Sequence, residues 1–279
     1  MRIFVTGATG NLGSAVVCEL IKAGHNVVGL TRSDIGTELL KKAGAEAHAG
    51  DLDDLESLRK GAANADGVIH LAFKHDFTNF ENSLKTDLQA VQTIGEVLQG
   101  TNKPFIITNH VNGEMSENAL FTLKDVRSAI ISLPPTVHEV NGRLGFVSML
   151  IEIARAKGFS GYVDDGSNRW PAVHRLDAAN LYRLAIEKAP AYSQINGCAE
   201  VGVAFKDIAE VIGKQLGVPV NSISRKEAEA HFGFLGMLAS HDISSTFRGN
   251  NVQTFELLGW KPEHPTLIDD LTNGHYFKN

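Results

Sequence analysis

Thr6-Gly7-Ala8-Thr9-Gly10-Asn11-Leu12-Gly13 follows the apolar run Ile3-Phe4-Val5 and leads directly into an amphipathic stretch, 12–23, closed by Gly24. The glycines fall in the spacing G-x-x-G-x-x-G, and their place between a strand and a helix gives the pattern its meaning. A tight turn needs a residue free of Cβ clashes, close backbone approach to an anion needs a second, and packing of helix on strand needs a third. Backbone N–H groups at the helix start then face the anion with the helix dipole behind them. Strand, turn and helix in register predict a turn that holds the pyrophosphate of a dinucleotide through Gly7, Thr9, Gly10, Asn11, Leu12 and Gly13.

Working outward, apolar runs alternate with amphipathic stretches at intervals suited to repeated βα units and a parallel sheet. Strands are expected at 26–31, 45–49, 67–71, 105–108 and 129–133, the last stopped by Pro134-Pro135, which cannot donate to a ladder. Helices are expected at 37–43, 55–62, 82–98 and 116–126, and later at 146–156, 176–187 and 205–216. The predicted fold is α/β: a Rossmann doubly wound parallel sheet with helices on both faces and a smaller, mostly helical C-terminal substrate subdomain. The dinucleotide domain would span 1–140 and be rejoined by about 170–197, leaving 141–169 and 198–279 to the subdomain.

A chain of 279 residues, 43% hydrophobic, can bury a large core. Net charge is −6 and Lys and Arg are scattered, which argues against nucleic acid and for a small-molecule substrate. No apolar run could span a bilayer and no basic leader precedes the first strand, so a cytoplasmic protein without a membrane partner is expected. Cys18 and Cys198 are too few for a disulfide framework; Cys18 is read as packing into the core from the first helix. The 11 histidines contain no H-x-x-x-H, and no C-x-x-C occurs, so no metal is expected. Stretch 82–98 and the helix after strand five are candidate homodimer surfaces.

The segment Thr6 to Gly13 resembles the fingerprint of the short-chain dehydrogenase/reductase superfamily, in its extended or atypical branch, related to sugar-nucleotide epimerases and dehydratases. The likeness extends over most of the chain. It implies that Asp51 and Leu52, after strand three, contact the adenine, and that Leu71, Ala72 and Phe73 line the cofactor at the end of strand four. It implies that Pro134 and Val137 touch the nicotinamide carboxamide, and that Trp170 to Ala179 returns the chain to the Rossmann domain beside the substrate. In the NAD form of the fold an acidic residue ends strand two. Here Arg32 and Ser33 stand there, a guanidinium and a hydroxyl suited to a 2′-phosphate, which favours NADP(H) over NAD(H). The rival reading makes Arg32 a solvated cation and gives the ribose to Asp34.

The resemblance also implies a Tyr with a Lys four residues on, the cation lowering the phenol's pKa for proton exchange with the substrate. None of Tyr162, Tyr182, Tyr192 and Tyr276 has that partner. The interval from Thr108 to Ala129 has room for one loop and one helix but not for the family's active-site loop as well. Either the segment has been lost, or the sequence joins residues across a loop between Val111 and Ser116. What remains is Thr108, a candidate hydroxyl, and His110, a candidate proton donor with a pKa near neutrality. Lys74-His75-Asp76 falls at the same edge and reads as a solvated loop, with His75 as a general base the alternative; the apolar stretch Phe232 to Leu238 reads as core packing, with the lining of a substrate pocket opposite Trp170 the alternative. Three functions fit: an NADP(H)-dependent oxidoreductase acting on a carbonyl or alcohol, a non-catalytic NADP(H) sensor, and a sugar-nucleotide epimerase or dehydratase.

Overall fold

The structure, a computed structural model, describes residues 1–76, 79–109, 112–139, 145–244 and 250–277. The first strands and helices alternate: β1 (Arg2–Thr6), α1 (Asn11–Lys22), β2 (Asn26–Thr31), α2 (Asp34–Ala43), β3 (Glu46–Ala49), α3 (Leu55–Ala63) and β4 (Gly67–His70). Next come α4 (Phe80–Leu98), β5 (Pro104–Thr108), α5 (Glu114–Phe121), β6 (Arg127–Ser132), β7 (Thr136–His138), α6 (Phe146–Lys157), β8 (Ser160–Val163) and β9 (Arg169–His174). The remainder is α7 (Arg175–Lys188), β10 (Ser193–Asn196), β11 (Glu200–Ala204), α8 (Phe205–Leu216), β12 (Val220–Ile223), α9 (Ala228–Phe232), α10 (Gly236–Ala239), α11 (Asn250–Leu258) and α12 (Leu267–Asn273).

The chain divides into two compact units. The first comprises Met1–Ser132, Ala178–Ile195 and Thr254–Trp260; the second comprises Leu133–Asp177, Asn196–Gln253 and Lys261–Asn279. In the first, seven strands run in the order β10-β6-β5-β4-β1-β2-β3. Each neighbouring pair from β3 across to β6 is parallel, in keeping with the apolar centres of β1 (Ile3-Phe4-Val5) and β4 (Val68-Ile69), since a strand covered on both faces does not alternate apolar with polar residues. The order reverses between β1 and β4, and in open α/β sheets ligands bind beyond the carboxyl ends of the strands at that reversal. Phe4, Leu58, Val68, Ile94, Leu98 and Phe105 form the centre of this unit's core.

The second unit holds the expected helices but also two small sheets. One is β11-β9-β7, with β9 antiparallel to β11 and parallel to β7; the other pairs β12 with β8. Around them α6, α8 and α12 bury Ile151, Trp170, Phe205, Ile208 and Leu271 in a separate core. Trp170 is wholly buried, with its indole N–H donating to Leu238 O at 3.0 Å and its ring against Phe205, so it is a core residue. In the stretch Phe232 to Leu238, Phe232 and Leu235 pack into this core, whereas Phe234 and Met237 are exposed.

One expectation fails here. Cys18 is exposed, because α1 buries Gly13, Val16, Val17 and Leu20, and a residue one step of about 100° beyond Val17 leaves that stripe. Among the described residues no helix is long and apolar enough to cross a membrane.

Candidate cofactor site

β1 ends at Thr6, and the chain turns through Gly7 at a φ of +68°. A Cβ on Gly7 would lie 2.8 Å from Ala72 N and 2.9 Å from Leu71 C, since the segment after β4 passes directly behind the turn. A Cβ on Gly13 would lie 1.9 Å from Gly7 O, and Gly10 N donates to the same oxygen at 2.9 Å. The three glycines thus fold the turn onto itself and onto β4, with α1 starting immediately after it. α1 starts at Gly10 without a side-chain cap, whereas Ser33 caps α2 and Asp54 caps α3. A helix start of that kind is suited to an external anion. Thr9 and Gly10 are exposed and Asn11 and Leu12 partly so, leaving the outer face of the turn accessible.

The carboxyl ends of β2 and β3 bring Arg32, Ser33 and Asp51 together. Arg32 is 79% exposed and its guanidinium lies 3.6 Å from the Asp51 carboxylate. Ser33 Oγ accepts Gly36 N–H at 3.1 Å, a capping bond that leaves the hydroxyl hydrogen to donate elsewhere. Lys74 Nζ bonds both Asp53 carboxylate oxygens at 2.6 Å. Leu52 is buried in the first unit's core; Leu71, Ala72 and Phe73 are partly buried, and His75 packs edge-on against Phe73.

Behind the turn lies a chain of polar groups that spacing gave no sign of. Thr6 Oγ1 accepts from Leu71 N and Ala72 N, each at 3.2 Å, and lies 2.7 Å from His70 Nδ1. His70 Nε2 is 3.2 Å from Asp87 Oδ1, and Ser116 Oγ donates to Asp87 Oδ2 at 2.5 Å. All four residues are buried. Their sequence signal is a polar residue where an apolar one belongs: His70 in the run Val68-Ile69-His70-Leu71, and Asp87 on the buried stripe of α4 with Ala90, Val91 and Ile94.

Thr108, at the end of β5, bonds Tyr182 OH at 2.7 Å and lies 3.5 Å from His70 O. Burial pushes the Tyr182 phenol well above its ordinary range, so it is a neutral hydrogen-bond partner. His110 lies outside the described residues. Pro134 and Val137 lie in the second unit, Val137 within β7 opposite Val173.

The second unit also gathers His174, Asp177 and His264, with donor atoms within 4.8 Å of one another. The two rings are stacked, 4.7 Å between centroids and 6° from parallel, so their lone pairs lie in offset planes and do not converge on one point. Asp177 accepts Glu263 N–H at 3.0 Å, His264 N–H at 3.1 Å and the His264 ring at 2.7 Å. That carboxylate anchors the segment before α12. Beside it, His138 Nδ1 bonds Asp270 Oδ2 at 2.7 Å and its Nε2 lies 3.5 Å from Glu200. Burial works against the His138 charge, but these two carboxylates overcome it and hold its pKa above the ordinary value. Burial pushes the His174 ring down to about 4.

Comparison with known proteins matches residues 1–118 to the NmrA-like family. An uncharacterised protein of Schizosaccharomyces pombe is 44% identical over 99% of this chain and 100% of its own length. That alignment runs over 301 positions, more than the 279 residues here, so part of the relative has no counterpart in this chain. An uncharacterised protein of Saccharomyces cerevisiae is 43% identical, covering 97% of this chain and 98% of its own. Among solved structures, UDP-glucuronic acid 4-epimerase from Bacillus cereus, in complex with UDP-glucuronic acid and NAD, superposes with a TM-score of 0.76 at 18% identity. The match covers 100% of this chain and 99% of that one. With the glycine turn, the reversed sheet order and full-length kin in two yeasts, the chain belongs to the short-chain dehydrogenase/reductase superfamily, in its extended, epimerase/dehydratase-like branch, without that branch's Tyr-x-x-x-Lys pair.

Proposed function

We propose that this chain is an NADP(H)-dependent oxidoreductase that interconverts a carbonyl and an alcohol on a small organic substrate. The carrying observation is the Gly7–Gly13 turn, folded so tightly that a Cβ on Gly13 would meet Gly7 O at 1.9 Å, with the exposed Arg32 at the end of the adjacent β2. Gly7, Thr9, Gly10, Asn11, Leu12 and Gly13 would hold the pyrophosphate, and Arg32 with Ser33 the 2′-phosphate. Arg32 faces Asp51 only at 3.6 Å and remains largely hydrated, so its guanidinium can turn to a phosphate at small cost. Asp51, Leu52, Leu71, Ala72 and Phe73 would border the adenine and ribose side, and Pro134 and Val137 the carboxamide. The nicotinamide supplies or accepts the hydride when bound. The protein must hold and return the matching proton, a task we give to His110, with Thr108 orienting the substrate oxygen.

A second reading, a dinucleotide sensor that performs no chemistry, is favoured by one observation: the Thr108 hydroxyl is already engaged by the buried Tyr182. Titration with NADPH and NADH, followed by a panel of aldehydes and ketones while nicotinamide absorbance is monitored, separates the two. The enzyme reading expects NADPH preference, turnover with at least one carbonyl, loss of turnover but not of binding in His110→Ala, and loss of the preference in Arg32→Ala. Tight NADPH binding without turnover across the panel would establish the sensor, and equal affinity for the two dinucleotides would overturn the NADP(H) assignment.

A further inference from the structure

The buried chain Ser116–Asp87–His70–Thr6 is drawn from four elements, α5, α4, β4 and β1, and ends on the dinucleotide turn. Its hydrogen positions follow from counting. A threonine hydroxyl has one hydrogen and two lone pairs. Thr6 Oγ1 faces two amide donors, Ala72 N–H and Leu71 N–H, the latter shared with Thr6 O at 3.3 Å, and with donors on that side its own hydrogen is left for His70 Nδ1. That nitrogen is therefore unprotonated, and the ring proton sits on Nε2, facing Asp87 Oδ1. Asp87 in turn accepts from Ser116 through its other oxygen. Thr6 thus donates to His70 and His70 to Asp87, while Ser116 donates to the same carboxylate from the other side, so the chain converges on Asp87.

We propose that Thr6 is the positioning residue of the cofactor turn, and that His70, oriented by Asp87 and Ser116, holds its hydroxyl in the one rotamer that can receive both amides. Leu71 and Ala72 are the residues against which Gly7 is packed, with Ala72 N only 2.8 Å from where a Gly7 Cβ would stand. A hydroxyl turned elsewhere would leave the partly buried Ala72 amide without its acceptor and let the segment after β4 move off the turn. The cofactor's pyrophosphate would then meet a displaced Gly7. The proposal rests on the reading of Gly7–Gly13 as a dinucleotide turn. It adds a distant control: α5, the helix that follows β5 in the chain, reaches the cofactor turn through Ser116.

The test is NADPH affinity, followed by nicotinamide fluorescence, in five variants alongside their melting temperatures. Thr6→Val keeps the shape and removes the hydroxyl; affinity should fall about tenfold or more, and Thr6→Ser should restore it to within about threefold of the unaltered protein. His70→Gln keeps reach toward Asp87 but offers Thr6 no acceptor at the Nδ1 position, whereas His70→Asn offers one, so Asn should bind NADPH more tightly than Gln. Leu98→Ala opens the same core away from the turn, and should lower the melting temperature without changing affinity. Equal affinity of Thr6→Val and the unaltered protein, or an equal loss in Leu98→Ala, would overturn the proposal. Should Thr6→Val fail to fold, the order of the two His70 variants decides: Gln binding as well as Asn overturns it. Failure of the unaltered protein to bind either reduced dinucleotide overturns the cofactor reading and this proposal together, whereas variants that all bind equally overturn this proposal alone.

Discussion

Gly13 has the least freedom of any residue in the site. With 1.9 Å between its notional Cβ and a backbone oxygen, Gly13→Ala must move either α1 or Gly7. We expect it to abolish dinucleotide binding and to lower the melting temperature; an alanine variant with ordinary affinity and stability would show that the turn does not close as described. The glycines were legible because what they satisfy is local, a turn between neighbouring elements, and their spacing records it. Thr6, His70, Asp87 and Ser116 were not, because each answers to a partner in another element, and no interval along the chain encodes that. Thr108 was picked out for standing at the end of β5, but its bond to Tyr182 depends on a helix that arrives 74 residues later. Cys18 was misplaced because its neighbours Val16 and Val17 are apolar, while the helical step turns the next side chain outward.

Element boundaries tell a similar story. In the first unit every expected strand of the sheet and every helix is present, since long amphipathic or fully apolar segments carry their period with them. α5 was expected over 116–126 but occupies Glu114–Phe121, stopping before Asp125, which takes a left-handed φ of 52°. The strands β7 to β12 were not anticipated: three to six residues long, with Pro171 inside β9 and Asn and Ser inside β12, they are defined by partners and not by pattern. At α2, Ser33 has two candidate roles that substitution can separate. Ser33→Ala should cost about 1 kcal/mol of stability by removing the acceptor for Gly36 N–H. Ser33→Asp keeps an acceptor and so should preserve stability, but its charge opposes a 2′-phosphate; NADPH affinity should fall while NADH affinity holds. An aspartate variant that keeps the unaltered preference would remove Ser33 from the cofactor site.

At the scale of the whole molecule, the histidines of the second unit make stability depend on pH in two opposed ways. An unfolded chain protonates His174 near pH 6.5, whereas the folded ring stays neutral down to about 4. Stability is therefore full above that unfolded value and falls as pH drops toward 4. His138, held above its ordinary value, acts inversely: its contribution is complete below the unfolded pKa and is lost as pH rises through the folded one. Urea unfolding across pH 4 to 9 should show a shallower acid-side decline in His174→Asn, whose amide oxygen can still accept Leu176 N–H, and a smaller loss of stability as pH rises above the unfolded value in His138→Asn. Parallel curves for all three proteins would refute this account. The interleaving of the two units has a further consequence, in time. When residue 132 has been synthesised, six strands of the large sheet exist, but β10 and α7 do not, and Thr254–Trp260 is more than a hundred residues away. The second unit likewise waits for Glu263 and His264 before Asp177 meets its amides. Each half therefore waits on segments made after the other has begun, and the β6 edge of the sheet stays uncovered from the end of β6 until β10 has been made.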